Sequence, residues 1–340
     1  MSREKDLIKI IDGVMPRSKS QVNALFESDS EIIQLGNEFV NQKMLHTIDE
    51  FSSEDMLREN DPYTLGWNLA VGAISDIFAT GGRPMFYSHS LTIKDDWTEE
   101  YVRLLSEGIA AVLKESGTCF LGGDFGKSKS FRYTASVIGN LKGEPLLRSK
   151  AQIGDGIYIT GTVGGGNLEA FLKLYSEKKL VGRFLKTFKN RFNLRIKESE
   201  LIKTFANACI DTSDGVFNSI NAISEISGTG YKLRDLPYIR AGSIAATVFS
   251  IPKSLLFLCE CGEYELLFTV AKLKEAEFME EASKRGLKFY KIGSIKNPSI
   301  KVLEENKKVI DLSLLQISAR DYEDIKDYLK DIISFLSNQH

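Results

Sequence analysis

The sequence predicts an α+β fold divided between two domains, on three observations. Strand-like and helix-like segments are mixed in both halves, without the strict strand–helix–strand alternation of a doubly wound sheet. The 340 residues exceed what one typical core requires. The pattern also resets near 142–155, where GEPLLRSKAQIGDG is short, polar and turn-rich. We place the boundary there, giving domains over 1–145 and 146–340.

In order along the chain, the first 27 or so residues read as an amphipathic helix and then a polar segment. Residues 29–50 alternate as a strand, a turn around Gly36-Asn37 and a second strand. The apolar run over 63–80 predicts a long helix, with Gly81-Gly82 as a C-cap and Pro84 beyond it. A strand (FYSHSLTI), a helix over 99–116 and two strands (CFLGGD, FRYTASVIGNL) complete the first half. The second half opens with a strand (GIYITGT), a glycine loop over 161–166 and a helix (NLEAFLKLYSEKK). Residues 183–200 are basic and predict a surface helix. Beyond a DTSDG turn lie a helix (VFNSINAISEIS), a β-like stretch near YKLRDLPYI and a helix near 242–249. A strand (EYELLFTV), a helix (KEAEFMEEASKRG) and a strand (FYKIGSI) follow.

Composition is that of an ordinary globular protein, at 43% hydrophobic and 26% charged. A net charge of −2 argues against a broad nucleic-acid surface. No apolar window long enough for a transmembrane helix occurs, so no membrane partner is expected. The start, MSREKDLIKIIDGV, lacks the apolar core of a signal peptide. The four cysteines show no paired CxxC spacing, which disfavours structural zinc and suits reduced thiols in the cytoplasm.

The chemistry concentrates in Asp211-Thr212-Ser213-Asp214-Gly215. Two carboxylates three residues apart can face one small volume, and they repel unless a cation lies between them. Hard oxygen donors without sulfur or imidazole favour Mg²⁺, which bridges to substrate phosphates. Taken alone, such a turn could equally be solvated, with an N-cap aspartate. Asp76 lies within the apolar helix, where a carboxylate is costly to bury without a cation or donors. Asp49 closes a strand and Asp29 precedes one. Gly122-Gly123-Asp124-Phe125-Gly126-Lys127-Ser128 is no P-loop, because Leu121 replaces the first glycine and a strand follows. It reads as a strand end baring Asp124 beside two glycines. Gly161–Gly166 could bind an anion at a helix N-terminus or serve packing and turn roles. Cys259-x-Cys261 reads as a buried strand approach.

The ordered set resembles the thiamine-monophosphate kinase family, within the aminoimidazole-ribonucleotide-synthetase-like superfamily. It runs from the strand ending in Asp49 through Ser-Asp76, Gly-Gly-x-Pro and GGD124. It continues with Arg148-x-x-Ala-x-x-Gly-Asp155, the glycine loop, DTSDG and EYELLFTV. The resemblance implies an N-terminal domain that dimerises through its sheet and a C-terminal α+β domain completing a cleft for ATP and Mg²⁺. It implies a metal shell of Asp29, Asp49, Asp76, Asp124, Asp211 and Asp214, with Asp211 and Asp214 central to catalysis. Gly123, Asp124, Arg148 and Ser213 would contact the nucleotide. The implied activity is phosphoryl transfer from ATP to thiamine monophosphate, with a homodimer as the expected assembly.

Departures fall mainly on the acceptor side. Ser28-Asp29-Ser30 stands where the family has Gly-Asp-Asp, and Met56 stands where it has a histidine. Glu263 falls near the family's acceptor glutamate, and Tyr322 is the candidate for a C-terminal aromatic. Two other readings therefore remain beside a kinase acting on a small phosphate acceptor. One is a related ATP-dependent synthetase or ligase; the other is a non-catalytic nucleotide-binding protein.

Overall fold

The computed structural model describes residues 22–34, 42–55, 59, 61–305 and 308–338. The expected turn at Gly36-Asn37, residue Met56 and the greater part of the expected N-terminal helix lie outside them. The fold is α+β, built on two sheets.

The first sheet has the order β1-β2-β5-β3-β4. Its strands are β1 (Glu31–Gln34), β2 (Gln42–Ser52), β3 (Arg83–Lys94), β4 (Cys119–Ser128) and β5 (Arg132–Lys142). Only β3 and β4 are parallel, joined across helix α2 (Glu99–Ser116). Helix α1 (Pro62–Ala79) starts at Asp61, whose carboxylate accepts the Thr64 amide, with proline in the first turn. It is buried almost all round, between the sheet and α2. The two helices cross closely enough to require glycine twice. A Cβ on Gly66 would lie 1.9 Å from the Leu105 carbonyl oxygen, and one on Gly108 would lie 2.1 Å from that of Tyr63.

The second sheet has the order β12-β11-β8-β10-β6-β9-β7. Its strands are β6 (Gly156–Ile159), β7 (Ala206–Asp211), β8 (Gly230–Arg234), β9 (Leu266–Val270), β10 (Tyr290–Lys296), β11 (Lys301–Glu305) and β12 (Lys308–Asp311). Around it lie α3 (Gly165–Leu174), α4 (Lys179–Thr187), α5 (Ile196–Phe205), α6 (Gly215–Ser227), α7 (Arg240–Val248), α8 (Leu255–Leu258), α9 (Glu275–Lys284) and α10 (Ile325–Ser337).

The basic stretch over 183–200 is not a single surface helix. Helices α4 and α5 are separated by an irregular segment that buries Phe188 and Phe192. The indole N–H of Trp67 in α1 donates to the Phe192 carbonyl at 2.8 Å, and Asn68 exchanges bonds with the backbone of Asn190 and Phe192. This segment fastens the second half onto α1. The largest core cluster is accordingly shared, joining α1 and the first sheet to Tyr158, Phe268 and Phe278 of the second half.

Candidate active site

The site forms where α1 meets the edge strand β7 of the second sheet. Residues 45, 47, 49 and 51 of β2 point toward α1, as a period-two strand requires, with Leu45, Thr47 and Phe51 buried. Asp49 therefore faces the helix that carries Asp76. The Thr47 hydroxyl, on the same face, donates to Asp76 Oδ2 at 2.5 Å. Asp211 ends β7, and Ser75 on α1 donates to its Oδ2 at 2.5 Å. Ser213 donates its hydroxyl to Asp211 Oδ1 at 2.9 Å, and the Asp211 amide donates to Asp29 Oδ2 at 3.2 Å. Asp29 is also paired with the guanidinium of Arg148.

Asp29, Asp76 and Asp211 each present a carboxylate oxygen, all within 4.8 Å of one another. At that spacing each pair of ionised carboxylates would repel by about 3.5 kcal/mol or more at an effective dielectric near 20. Burial, with Asp49 and Asp211 beside it, raises the Asp76 carboxyl well above the usual range. Burial, with Asp211 and Asp214, pushes Asp49 up to about 7. Carboxylates so arranged fit a hard divalent cation, through donor chemistry and through the repulsion it would relieve.

Asp214 lies one turn on, at the N-cap of α6, and remains largely exposed, with Arg320 3.6 Å away. The turn between Asp211 and Asp214 is held by the 259–262 loop. A Cβ on Gly262 would lie 1.9 Å from the Thr212 carbonyl oxygen, and Gly215 adopts φ 80° against Cys259. Thr212 in turn accepts the Glu265 amide into its hydroxyl at 2.9 Å. The two sequence motifs are thus one packed unit.

From this cluster a cavity of about 730 Å³ runs into the second half. Asp49, Ser213 and Asp214 line its polar end, with Glu54, Asp55 and Glu260 beside them. Its far end is apolar, between Phe171, Leu174, Phe249 and Leu256 on one side and Tyr328 and Ile333 of α10 on the other. Phe51, Phe192 and Tyr264 form an aromatic wall, with ring centroids 6.2 and 4.7 Å apart about Tyr264. Tyr264 holds φ 54°, an uncommon backbone state for a residue with a bulky side chain, and it does so at the cavity wall.

Other expected site residues lie elsewhere. Gly123 and Asp124 are on β4, which in the described residues is an edge strand. Register places Asp124 in a row with Ser90, Thr134 and Glu50. That row faces away from α1, opposite to Asp49, so one chain does not bring Asp124 to the cluster. Gly123 is glycine because a Cβ would lie 2.0 Å from the His89 carbonyl oxygen. Glu263 is buried outside the cavity lining. It accepts the Gly164 amide at 2.6 Å and is bonded also by those of Gly165 and Gly166. The chain's own carboxylate thus fills the helix N-terminus that the glycine loop offered to an anion. Tyr322 donates to Asp331 at 2.7 Å near the surface, while Tyr328 lines the cavity. Ser30 occupies the place of a second N-terminal carboxylate and is buried, 2.6 Å from the Thr80 hydroxyl. Burial raises both cavity cysteines, Cys261 to about 12, so the pair stays as thiols at neutral pH.

Residues 28–141 match the family described as AIR synthase related protein, N-terminal domain. A thiamine-monophosphate kinase of Methanopyrus kandleri is 30% identical over 233 residues, 68% of this chain and 71% of that protein. The chain belongs to the thiamine-monophosphate kinase family. A second kinase of that name, from Buchnera aphidicola subsp. Schizaphis graminum, is 28% identical over 89% of this chain and 94% of its own. Among solved structures, AaThiL complexed with AMPPCP and TMP superposes with a TM-score of 0.72 at 23% identity, covering 90% of this chain and 93% of that one. The hydrogenase maturation protein HypE of E. coli shares the fold at a TM-score of 0.68 and 14% identity, over 94% of this chain and 98% of that one. Both structural likenesses speak to the fold alone. The sequence relationship carries the kinase family assignment.

Proposed function

We propose that this protein transfers a phosphoryl group from ATP to thiamine monophosphate, yielding thiamine diphosphate and ADP. The single observation that carries the reading is the carboxylate cluster of Asp29, Asp76 and Asp211, beside Asp49 and Asp214, which line the polar end of the 730 Å³ cavity. Asp49 and Asp214 complete a set that would hold Mg²⁺. When bound, the metal would neutralise phosphate oxygens, the main requirement of a transfer that depends on positioning and charge stabilisation.

The chain's own residues supply the rest. Ser75 and Ser213 fix the Asp211 carboxylate from both sides, and Thr47 fixes Asp76. Arg148, paired with Asp29, offers a planar cation suited to two phosphate oxygens. The apolar far end excludes water, and the Phe51–Tyr264–Phe192 wall suits an aromatic ring. Glu54, Asp55 and Glu260 give that wall an acidic border, which suits a cationic heterocycle such as thiazolium.

The proposed functional unit is a homodimer. Phe120, Leu121 and Phe125 on the β4 edge and Ile48 on the open sheet face are 50–62% exposed, an apolar surface that a second copy would cover.

The test is thiamine diphosphate formation from ATP, Mg²⁺ and thiamine monophosphate, with Asp214→Asn as the control. Product that disappears in the variant supports the reading. ATP binding without product would reject the acceptor, and release of AMP instead of ADP would reject the reaction class.

A further inference from the structure

The segment before α10 bends back over the polar end of the cavity. A short turn over Ala319–Asp321 is capped by the Ser318 hydroxyl. Glu260 anchors it, accepting from the Ser318 hydroxyl at 3.2 Å and the Ala319 amide at 3.1 Å. This tether presents Arg320 as a cavity-lining residue, with its Nη2 3.6 Å from Asp214 Oδ1. Both side chains are more than half exposed, at 57% and 66%. An ion pair that long and that wet is weak and easily exchanged. Glu260 thus fixes the backbone firmly while the contact between Arg320 and Asp214 is loose.

Resting on the kinase reading above, we propose that Arg320 is a phosphate-binding residue of this cleft. It guards Asp214 until a cation takes that carboxylate, and it then turns to a phosphate oxygen of the bound ligand. The guanidinium is always charged and its donors match a phosphate edge. A cation on Asp214 weakens the attraction between that carboxylate and Arg320. Arriving phosphates supply a stronger one in the same volume. The phosphate could belong to the nucleotide or to the acceptor.

The proposal predicts effects of opposite sign from one substitution. In Arg320→Gln, Mn²⁺ binding without nucleotide, followed by calorimetry, tightens about two- to fivefold, because a competitor for Asp214 is gone. In the same variant, Mg²⁺-dependent binding of a non-hydrolysable ATP analogue, or of thiamine monophosphate, weakens about tenfold. The ligand that weakens identifies which phosphate Arg320 meets. Arg320→Lys recovers part of the loss, and in an Asp214→Asn background the tightening of Mn²⁺ vanishes. Unchanged Mn²⁺ affinity, or weakened affinity for metal and both ligands alike, overturns the proposal. Failure of the unaltered protein to bind either ligand would instead overturn the kinase reading itself.

Discussion

Glu263 illustrates what a single residue does when its surroundings are known. Its position in the motif marks it for the acceptor, yet its carboxyl is folded into the amides at the start of α3. Burial outweighs those three donors and raises it from 4.5 to about 8. A carboxyl raised on folding contributes stability below about pH 4.5 that is lost as pH climbs through about 8. Glu263→Gln mimics the protonated form, so its melting temperature relative to the unaltered protein should rise steadily between pH 5 and 8.5. The underlying stability difference would change by on the order of 1 kcal/mol per pH unit. A difference independent of pH would show that Glu263 is not buried as described. Asp211 and Asp76 stand out in the sequence through their local settings, whereas Asp29 enters only through the family resemblance. Asp124 was not placed, because its face depends on a bulge. The β3–β4 register slips between Tyr87 and Ser88, and one residue of slip reverses every later side chain. Arg320 and Tyr328 carry no motif, although Ile325, Tyr328, Leu329 and Ile332 repeat at helical spacing and mark an inward face.

At the level of elements, long periodic segments were the most readable. The helices over 62–79 and 99–116 and the strands of the first sheet lie where alternation and caps predict them. The short pieces β7, β11, β12 and α8 escaped, since each is four to six residues long and depends on neighbours for its identity. The basic stretch between α3 and β7 misleads for a related reason: its charges dominate the composition while Phe188 and Phe192 turn inward. The α1–α2 crossing yields a direct test. Gly66→Ala places a methyl against the Leu105 backbone, which must then move, at about 1–3 kcal/mol. Thermal unfolding should shift down by roughly 3 °C or more. An unshifted midpoint would contradict the close crossing.

Across the whole molecule, the second half reaches back through the 188–195 segment, and its edge strand β7 delivers Asp211 to α1. The cleft therefore exists only while both halves are docked, and the shared core makes that docking part of the fold. The exposed apolar edge of β4 predicts self-association: Leu121→Asp with Phe125→Asp should convert a dimer to a monomer in sedimentation. A monomeric unaltered protein would refute that interface. The proposed activity nonetheless depends on the carboxylate cluster. The most direct measurement is calorimetric binding of ATP with and without Mg²⁺, comparing the unaltered protein with Asp76→Asn and Asp211→Asn. Mg²⁺-dependent binding is expected in the unaltered protein and lost in both variants, while their circular dichroism stays unchanged. Equal affinity in all three proteins would contradict that dependence.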